Sequence, residues 1–244
     1  MCTVSWIHQG QGYQLFCNRD EQHTRRPASK PQLLTHHGIR FLAPIDGDFG
    51  GTWIAVNEFG LSLALLNRGP GSPAQISRGL LVMHLIAGPT LADVAERFAT
   101  SNLSDFAPFT VLGLAPGAPA ALFGWDGSEG GVVADAGPYM PLVSSSLDPE
   151  GCESRRRATL ERILAKSPAL RPGALLAFHR SHAPVAGVHS VCMHRDDAQT
   201  VSFTWVTVED GGANMYYAAG SPCRSLAGES LSLALCSGPQ TQCA

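Results

Sequence analysis

The feature that most constrains the fold is a tight β-hairpin at the start of the chain. Residues 3–8 alternate between polar and apolar side chains, Gly10-Gln11-Gly12 supplies a turn, and residues 13–17 run back. The segment Asn18-Arg19-Asp20-Glu21 ends the second strand. Because the strands of a hairpin are antiparallel, this end returns beside residue 2. The sequence therefore predicts that the arginine and the aspartate of this segment lie close to Cys2.

These residue types in this arrangement point to nucleophilic chemistry. If Met1 is removed, Cys2 carries both a thiol and an α-amine, whose usual pKa of about 7.7–8.0 lets it take the thiol proton at neutral pH. A neighbouring guanidinium stabilises a thiolate, which suits Arg19. A carboxylate orients the amine, which suits Asp20. An amide at the end of a nearby strand donates to an oxyanion, which suits Asn67.

Each of these residues also has a purely structural interpretation. Cys2 could be a buried strand cysteine with Met1 retained. Arg19 and Asp20 could form a surface ion pair worth less than about 1 kcal/mol. Asn67 could be a turn residue at the start of the breaker-rich loop 68–73.

Strand and helix patterns along the chain predict an α+β fold, with two antiparallel sheets between helical layers in one domain, residues 1–244. The tail from about residue 224 is left unassigned. The predicted strands are 3–8, 13–17, 50–56, 61–67, 109–114, 120–125, 131–134, 142–145, 190–194, 200–208 and 215–218. The predicted helices are 77–86, 91–99, 153–166 and 173–180, the third carrying Arg155 to Arg157 on a solvated face.

Composition argues against several classes of partner. The net charge is 17 − 20 = −3, which disfavours nucleic acid and anionic membranes as partners. No apolar run reaches the length of a membrane span, and the first residues lack the pattern of a secretory signal. The seven cysteines are scattered without a Cys-x-x-Cys motif, which favours reduced thiols and a cytoplasmic location.

Four motifs carry a resemblance to a known family. They are Met-Cys-Thr at the start, Asn-Arg-Asp-Glu at 18–21, Gly-Gly-Thr-Trp-Ile-x-Val-Asn-x-x-Gly-Leu at 50–61, and Leu-Asn at 66–67. Together they resemble the Asn-Arg-Asp-Glu signature family, also called the transport-and-Golgi-organisation family. That family is similar to N-terminal-nucleophile hydrolases of the choloylglycine hydrolase and penicillin V acylase type. The resemblance covers about the first seventy residues and is looser beyond them, although residues 190–195 and 200–205 resemble the acyltransferase branch.

The resemblance implies a four-layer αββα sandwich and assigns roles to four residues. Cys2 corresponds to the nucleophile, Arg19 to the arginine that stabilises the thiolate, Asp20 to the aspartate that binds the amine, and Asn67 to the oxyanion asparagine. The same resemblance implies haem as a candidate ligand, because members of the signature family have been linked to haem trafficking.

Further candidates for the oxyanion site or the pocket are Asn18, Trp53, Ser145 and Arg155. Ser145 stands nearest to a second asparagine of the hydrolases, and Arg155 is the candidate counterpart of their late arginine. Trp53 suits a core position or a pocket wall.

Two functions remain open at this stage. The first is a cysteine amidohydrolase or acyltransferase that acts on a small linear amide or a thioester, with no required cofactor. The second is a non-catalytic protein that binds or carries haem or an acyl-coenzyme A. No metal is predicted, because the histidines lack cysteines or carboxylates at zinc spacing in the sequence, and His84 suits a core position. The substrate and the oligomeric state are not predicted.

Overall fold

Two antiparallel sheets lie face to face between helical layers in the computed structural model, which describes residues 2–69, 75–166 and 169–236. The strands are, in chain order, β1 (Cys2–Gln9), β2 (Gly12–Gln22), β3 (Gln32–His36), β4 (Ile39–Ala43), β5 (Ile54–Asn57), β6 (Ser62–Asn67), β7 (Phe109–Leu114), β8 (Ala121–Trp125), β9 (Gly130–Val133), β10 (Leu142–Ser144), β11 (Ala198–Glu209), β12 (Gly212–Ala219) and β13 (Glu229–Ala234). The α-helices are α1 (Arg78–Leu85), α2 (Leu91–Thr100), α3 (Pro149–Lys166) and α4 (Pro172–His179).

The layer order follows from how the helices cover the sheets. The six-stranded sheet has the order β10-β1-β2-β11-β12-β13, and α3 and α4 pack on its outer face. The seven-stranded sheet runs from β3 to β9 in chain order, and α1 and α2 cover its outer face. The predicted αββα sandwich is confirmed. No helix within the described ranges is long and apolar enough to cross a membrane.

The first hairpin forms as predicted and continues further than its alternation pattern indicated. Cys2 pairs with Arg19 in the β1–β2 ladder, and β2 continues through the Asn-Arg-Asp-Glu segment to Gln22. Gly12 allows this hairpin to pack tightly, because a Cβ atom there would lie 2.0 Å from the carbonyl oxygen of Val208. Side chains alternate along β1, so Cys2 and Val4 face the other sheet, whereas Thr3 and Ser5 face α3 and α4.

The paired glycines before Trp53 bring α1 against the segment just before the start of β5. A Cβ atom on Gly51 would lie 2.4 Å from the backbone carbon of Gly79, so only glycine permits this approach. The backbone N–H of Thr52 donates to the carbonyl of Gly79 at 3.1 Å. This contact places the start of α1, at Arg78, against the segment that precedes β5. The strand predicted from residue 50 consequently begins only at Ile54.

One other prediction about local structure needs correction. Residues 190–194 do not form a strand, and only an isolated bridge between His194 and Gln199 is present there. The backbone N–H of Met193 donates instead to the side chain of Thr200, which interrupts regular strand pairing. The unassigned tail contains β13, an edge strand paired with β12. Residues 237–244 lie outside the described residues, as do Met1 and residues 70–74, which include residues 70–73 of the predicted loop 68–73.

Candidate active site

Cys2 lies at the edge of a cleft between the two sheets. Its side chain is 7% exposed, and the cleft has a volume of about 340 Å³. Besides Cys2, the cleft lining includes four predicted candidates, Arg19, Asp20, Trp53 and Asn67, together with Arg78. The structure therefore brings together the predicted nucleophile, the guanidinium, the carboxylate and the amide. Antiparallel pairing of β1 with β2 explains the proximity of Cys2, Arg19 and Asp20. The end of β6 supplies Asn67.

The Cys2 thiol is more acidic than its usual range despite its burial. A hydrogen bond from the side chain of Cys17 is the main cause that lowers the pKa of Cys2, and burial opposes it. The positive charge of Arg19 also lowers this pKa, whereas the negative charge of Asp20 raises it. The pKa of Cys17 is raised well above its usual value by the same hydrogen bond. Of the two thiols, Cys2 is therefore the more acidic.

Arg19 is held in one orientation by an aromatic ring and two carboxylates. Its guanidinium carbon lies 4.3 Å from the ring centre of Trp53, a cation–π distance. Its Nη2 lies 2.5 Å from Asp46 Oδ2 and 3.4 Å from Glu21 Oε2. The guanidinium is therefore fixed in position on the cleft wall, and part of its charge is neutralised by these carboxylates.

Asp20 is buried and held on the side of the sheet that faces α3. Its Oδ1 accepts a hydrogen bond of 2.6 Å from Thr200 Oγ1, and both terminal nitrogens of Arg156 lie 3.4 Å from its Oδ2. Burial raises the pKa of Asp20, and the charge of Arg156 opposes that rise. The β2–β11 register shifts between Thr200 and Ser202, a bulge beside the paired Arg19 and Asp20. Such irregularities redirect side chains near functional sites.

The arginine of α3 that reaches this region is Arg156, so the prediction of Arg155 is corrected. Arg155 is exposed, whereas the side chain of Arg156 is 0% exposed and also contacts Thr3 Oγ1 and the carbonyl oxygen of Val188. The helical period explains the difference, because Arg156 shares the sheet-facing side of α3 with the buried residues Cys152, Thr159 and Leu160. The prediction of a solvated face for Arg155 to Arg157 is therefore wrong at its central position.

The serine that contacts Cys2 is Ser144, one position before the predicted Ser145. Strand β10 pairs Ser144 directly with Cys2, and the backbone nitrogen of Cys2 donates to Ser144 Oγ at 2.8 Å. The Oγ of Ser145 accepts from the backbone N–H groups of Leu147 and Asp148, each at 3.3 Å. Both serines line a second cleft of about 290 Å³ that shares Asp20, Asn67 and Arg78 with the first.

The structure does not bring Asn18 into either cleft. Its side chain is 0% exposed on the side of the sheet that faces α4, and its amide donates to the carbonyl oxygens of His179 and Val191 at 2.9 and 3.0 Å. Trp53 is buried in the cleft wall, and its indole N–H has no hydrogen-bond partner among the described residues. Asn67 is exposed at the end of β6 and lines both clefts.

Sequence reasoning missed two residues that contribute to the site. Cys17 lies two positions before Arg19 on the same strand, so the period of two already placed it on the face of Cys2. Arg78 opens α1 and lines both clefts, while its Nη1 donates to the carbonyl oxygen of Pro108 at 2.9 Å. Burial lowers the pKa of Arg78, and the charges of Cys2 and Glu21 oppose this effect. No local motif distinguished Arg78 from other helix-starting arginines.

Residues 1–120 match the family model described as Transport and Golgi organisation 2. The resemblance predicted from the sequence is confirmed. The segment that matches Transport and Golgi organisation 2 contains Cys2, Cys17, Arg19, Asp20 and Asn67. The contacting residues Ser144 and Arg156 lie beyond the matched segment. No curated protein matches this sequence.

Solved structures show the same fold at low sequence identity. Penicillin V acylase from Agrobacterium tumefaciens is 11% identical with a TM-score of 0.53, covering 90% of this chain and 83% of that chain. A mutant conjugated bile acid hydrolase from Clostridium perfringens is 12% identical with a TM-score of 0.52, covering 95% of this chain and 96% of that chain. The Caenorhabditis elegans ortholog of N-acylethanolamine-hydrolyzing acid amidase is 14% identical with a TM-score of 0.53, covering 84% and 92%. The fold is therefore that of N-terminal-nucleophile hydrolases.

Proposed function

We propose that this protein is an N-terminal-nucleophile cysteine amidohydrolase or acyltransferase that acts on a small linear amide or a thioester. The observation that carries the proposal is the acidic thiol of Cys2, which borders a cleft together with Arg19, Asp20 and Asn67. The structural neighbours are an acylase, a hydrolase and an acid amidase ortholog, which agrees with this class of reaction.

The proposed reaction begins after removal of Met1. The α-amine of Cys2 takes the thiol proton, and the thiolate attacks the carbonyl carbon of the substrate to form a tetrahedral oxyanion. When the carbonyl re-forms, the carbon–nitrogen or carbon–sulfur bond breaks, and the leaving group takes the proton from the amine. A thioester on Cys2 remains. Water then yields a carboxylic acid, or an acceptor amine yields a new amide, and the thiol is restored in either case.

The surrounding residues have distinct parts in this scheme. Ser144 accepts the hydrogen bond of the Cys2 nitrogen. Asp20 is the proposed source of the negative charge that stabilises the ammonium form. Arg19 favours the thiolate through its charge. Asn67, exposed at the end of β6, is the proposed donor to the oxyanion.

A binding or carrier function is the second candidate, and the arginines that line the clefts beside Asp20 and Glu21 favour it. Arg78 lines both clefts, Arg19 lines the larger one, and Arg195 lines the smaller one. Guanidinium groups bind carboxylates and phosphates in bidentate geometry, so the propionates of haem or the phosphates of an acyl-coenzyme A are suitable ligands. In this function Cys2 performs no chemistry. A cytoplasmic location remains a prediction from cysteine usage.

The first test measures whether Cys2 is processed and activated. Intact-mass analysis of the purified protein should show loss of Met1. A small electrophile should label Cys2 faster than Cys152, which is buried, and Cys236, which is exposed. The Cys236→Ser variant is the matched control and should keep the fast phase, whereas Cys2→Ala should lose it. Retention of Met1, or labelling of Cys2 no faster than of the other cysteines, would refute the catalytic proposal.

A second measurement distinguishes the catalytic function from the carrier function. Haem titration followed by its Soret absorbance, and calorimetry with an acyl-coenzyme A, should give saturable binding for a carrier even in Cys2→Ala. Arg78→Met should weaken that binding. Lack of saturation at micromolar ligand would eliminate the carrier function, and accumulation of an acyl adduct on Cys2 from a thioester substrate would establish the catalytic one.

A further inference from the structure

Four potential metal ligands converge on the outer side of the six-stranded sheet, away from the Cys2 cleft. His182 follows α4, Cys192 and His194 lie in the irregular segment before β11, and Cys223 lies in the turn after β12. One ligand atom from each of these residues lies within 4.8 Å of all the others. They are distant in sequence, which explains why spacing patterns did not reveal them.

The distances fit a tetrahedral ion. The Sγ of Cys192 lies 3.7 Å from His194 Nε2, and His194 Nε2 lies 3.3 Å from Cys223 Sγ. Zinc bonds of about 2.3 Å to sulfur and about 2.0–2.1 Å to nitrogen give tetrahedral edges of roughly 3.3–3.8 Å between ligand atoms. Two measured edges already agree with this range, and the others require only small side-chain adjustments.

An unsatisfied imidazole nitrogen supplies a second, independent observation. The Nε2 atom of His182 is buried and has no hydrogen-bond partner within the described ranges. Its ring centre lies 5.0 Å from that of His194, with the rings at 76° to each other. A buried polar atom without a partner destabilises the fold, and coordination to a metal ion would remove that cost.

We propose that His182, Cys192, His194 and Cys223 bind one Zn²⁺ ion in a closed Cys₂His₂ site. Two thiolates and two neutral imidazoles are the ligand set typical of structural zinc, and four protein ligands leave no position for a substrate. Binding releases one proton from each cysteine, so two protons leave as one dication enters and the coordinated group is neutral. This proposal departs from the sequence-based expectation that the protein holds no metal.

The proposed zinc site would stabilise the segments that position Thr200, the residue that donates a hydrogen bond to Asp20. The backbone N–H of Met193, between the two ligands Cys192 and His194, donates to Thr200 Oγ1 at 2.8 Å. That hydroxyl in turn donates to Asp20 Oδ1 at 2.6 Å. On the other side, Ser221 Oγ donates to the carbonyl oxygen of Thr200 at 2.8 Å, two residues before the ligand Cys223. Zinc would therefore fix both segments that hold Thr200.

A second histidine cluster provides an internal control. His36, His37 and His84 also place ligand atoms within 4.8 Å of one another, but they contribute no thiolate. His37 is exposed, so its substitution should leave the fold unchanged. The His37→Gln variant therefore distinguishes zinc held by thiolates from zinc held loosely by surface histidines.

The test measures metal content, using protein freed of any affinity tag and dialysed against a weak chelator. We expect about one zinc per chain in the unmodified protein, as a single four-ligand site requires. Cys192→Ser and Cys223→Ser should each lose it, whereas His37→Gln and Cys236→Ser should retain it. Replacement of zinc by Co²⁺ should give intense visible bands and a thiolate-to-cobalt charge-transfer band, and Cys223→Ser should lose the latter.

Because a ligand variant could fail to fold, a strong chelator provides a test on the unmodified chain. Chelation should lower the Tm by several degrees, and added Zn²⁺ should restore it. Any of three results would overturn the proposal: no bound zinc after purification from zinc-containing medium, zinc lost in His37→Gln but kept in Cys223→Ser, or a Cys192–Cys223 disulfide in freshly purified protein.

Discussion

The side chain of Cys17 donates a hydrogen bond to the sulfur of Cys2 across the first hairpin, and this contact makes Cys2 the more acidic of the two thiols. Cys2 pairs with Arg19 and Cys17 pairs with Val4, so the two cysteines lie diagonally on the face between the sheets. Burial alone would raise the pKa of both. The hydrogen bond therefore lowers the pKa of Cys2 and raises that of Cys17, so Cys2 is the more acidic of the two thiols.

Cys17→Ala should raise the pKa of Cys2, because it removes the donor that stabilises the Cys2 thiolate. Below that pKa, each unit of increase lowers the thiolate fraction, and hence the labelling rate, about tenfold. The measurement is the rate of electrophile labelling of Cys2 between pH 5 and pH 9 under reducing conditions. Cys152→Ala, which removes another buried thiol, should leave the midpoint unchanged. A midpoint that is identical in Cys17→Ala and the unmodified protein would show that the hydrogen bond has no such role.

Arg156→Met should destabilise the fold far more than Arg155→Met. The first substitution removes the guanidinium beside the buried carboxylate of Asp20, and breaking such a buried ion pair costs about 3–5 kcal/mol. The second changes an exposed side chain and should alter the free energy of unfolding by less than about 0.5 kcal/mol. Urea denaturation of the two variants provides the comparison, and equal free energies of unfolding would contradict the buried ion pair.

Ser144→Ala should slow acylation of Cys2 by about tenfold, because a lost hydrogen bond to the reacting residue costs about 1–2 kcal/mol. Ser145→Ala should instead lower the free energy of unfolding by about 0.5–1.5 kcal/mol, since its hydroxyl accepts N–H groups from the turn before α3. Labelling rate and denaturation are measured on both variants. A slower rate in Ser145→Ala than in Ser144→Ala would reverse this assignment.

His179 should make the protein sensitive to acid. Its side chain is 0% exposed, Ser5 Oγ donates to its Nε2 at 2.8 Å, and its Nδ1 lies 3.1 Å from the acceptor Asn18 Oδ1. Burial, with a smaller effect of the charge of Arg156, lowers the pKa of His179 to about 3. Below the usual histidine pKa of about 6.5, His179 therefore binds a proton in the unfolded chain but stays neutral in the folded protein. The free energy of unfolding is therefore highest above about pH 6.5 with respect to His179. It falls by a few kcal/mol in total as the pH decreases towards 3.

The corresponding measurement is the free energy of unfolding at pH 7 and at pH 5. The decrease between these values should be smaller in His179→Gln than in the unmodified protein. His23→Gln, which changes an exposed histidine, serves as the control and should retain the full decrease. An unchanged decrease in His179→Gln would exclude His179 as its source.

The sequence by itself determined the features that depend on neighbours along the chain. Alternation and the glycine turn fixed the first hairpin, and pairing of its strands brought Arg19 to Cys2. The start of α2 was also predictable, because Thr90 and Asp93 form a capping box within four residues. Local propensity and the antiparallel ladder are short-range effects, so they can be read from the residues that carry them.

Only the tertiary structure decided which of two adjacent residues points into the site. A shift by one position moves a strand side chain to the opposite face and a helix side chain by about 100°. The residues that contact the site are therefore Ser144 and Arg156, and not the predicted neighbours Ser145 and Arg155. Likewise, Cys192 and Cys223 meet because β11 and β12 return the chain to the same edge, a proximity that no local spacing encodes. Long-range packing sets these positions, because the free energy of burying one face of each element fixes its register against all the others.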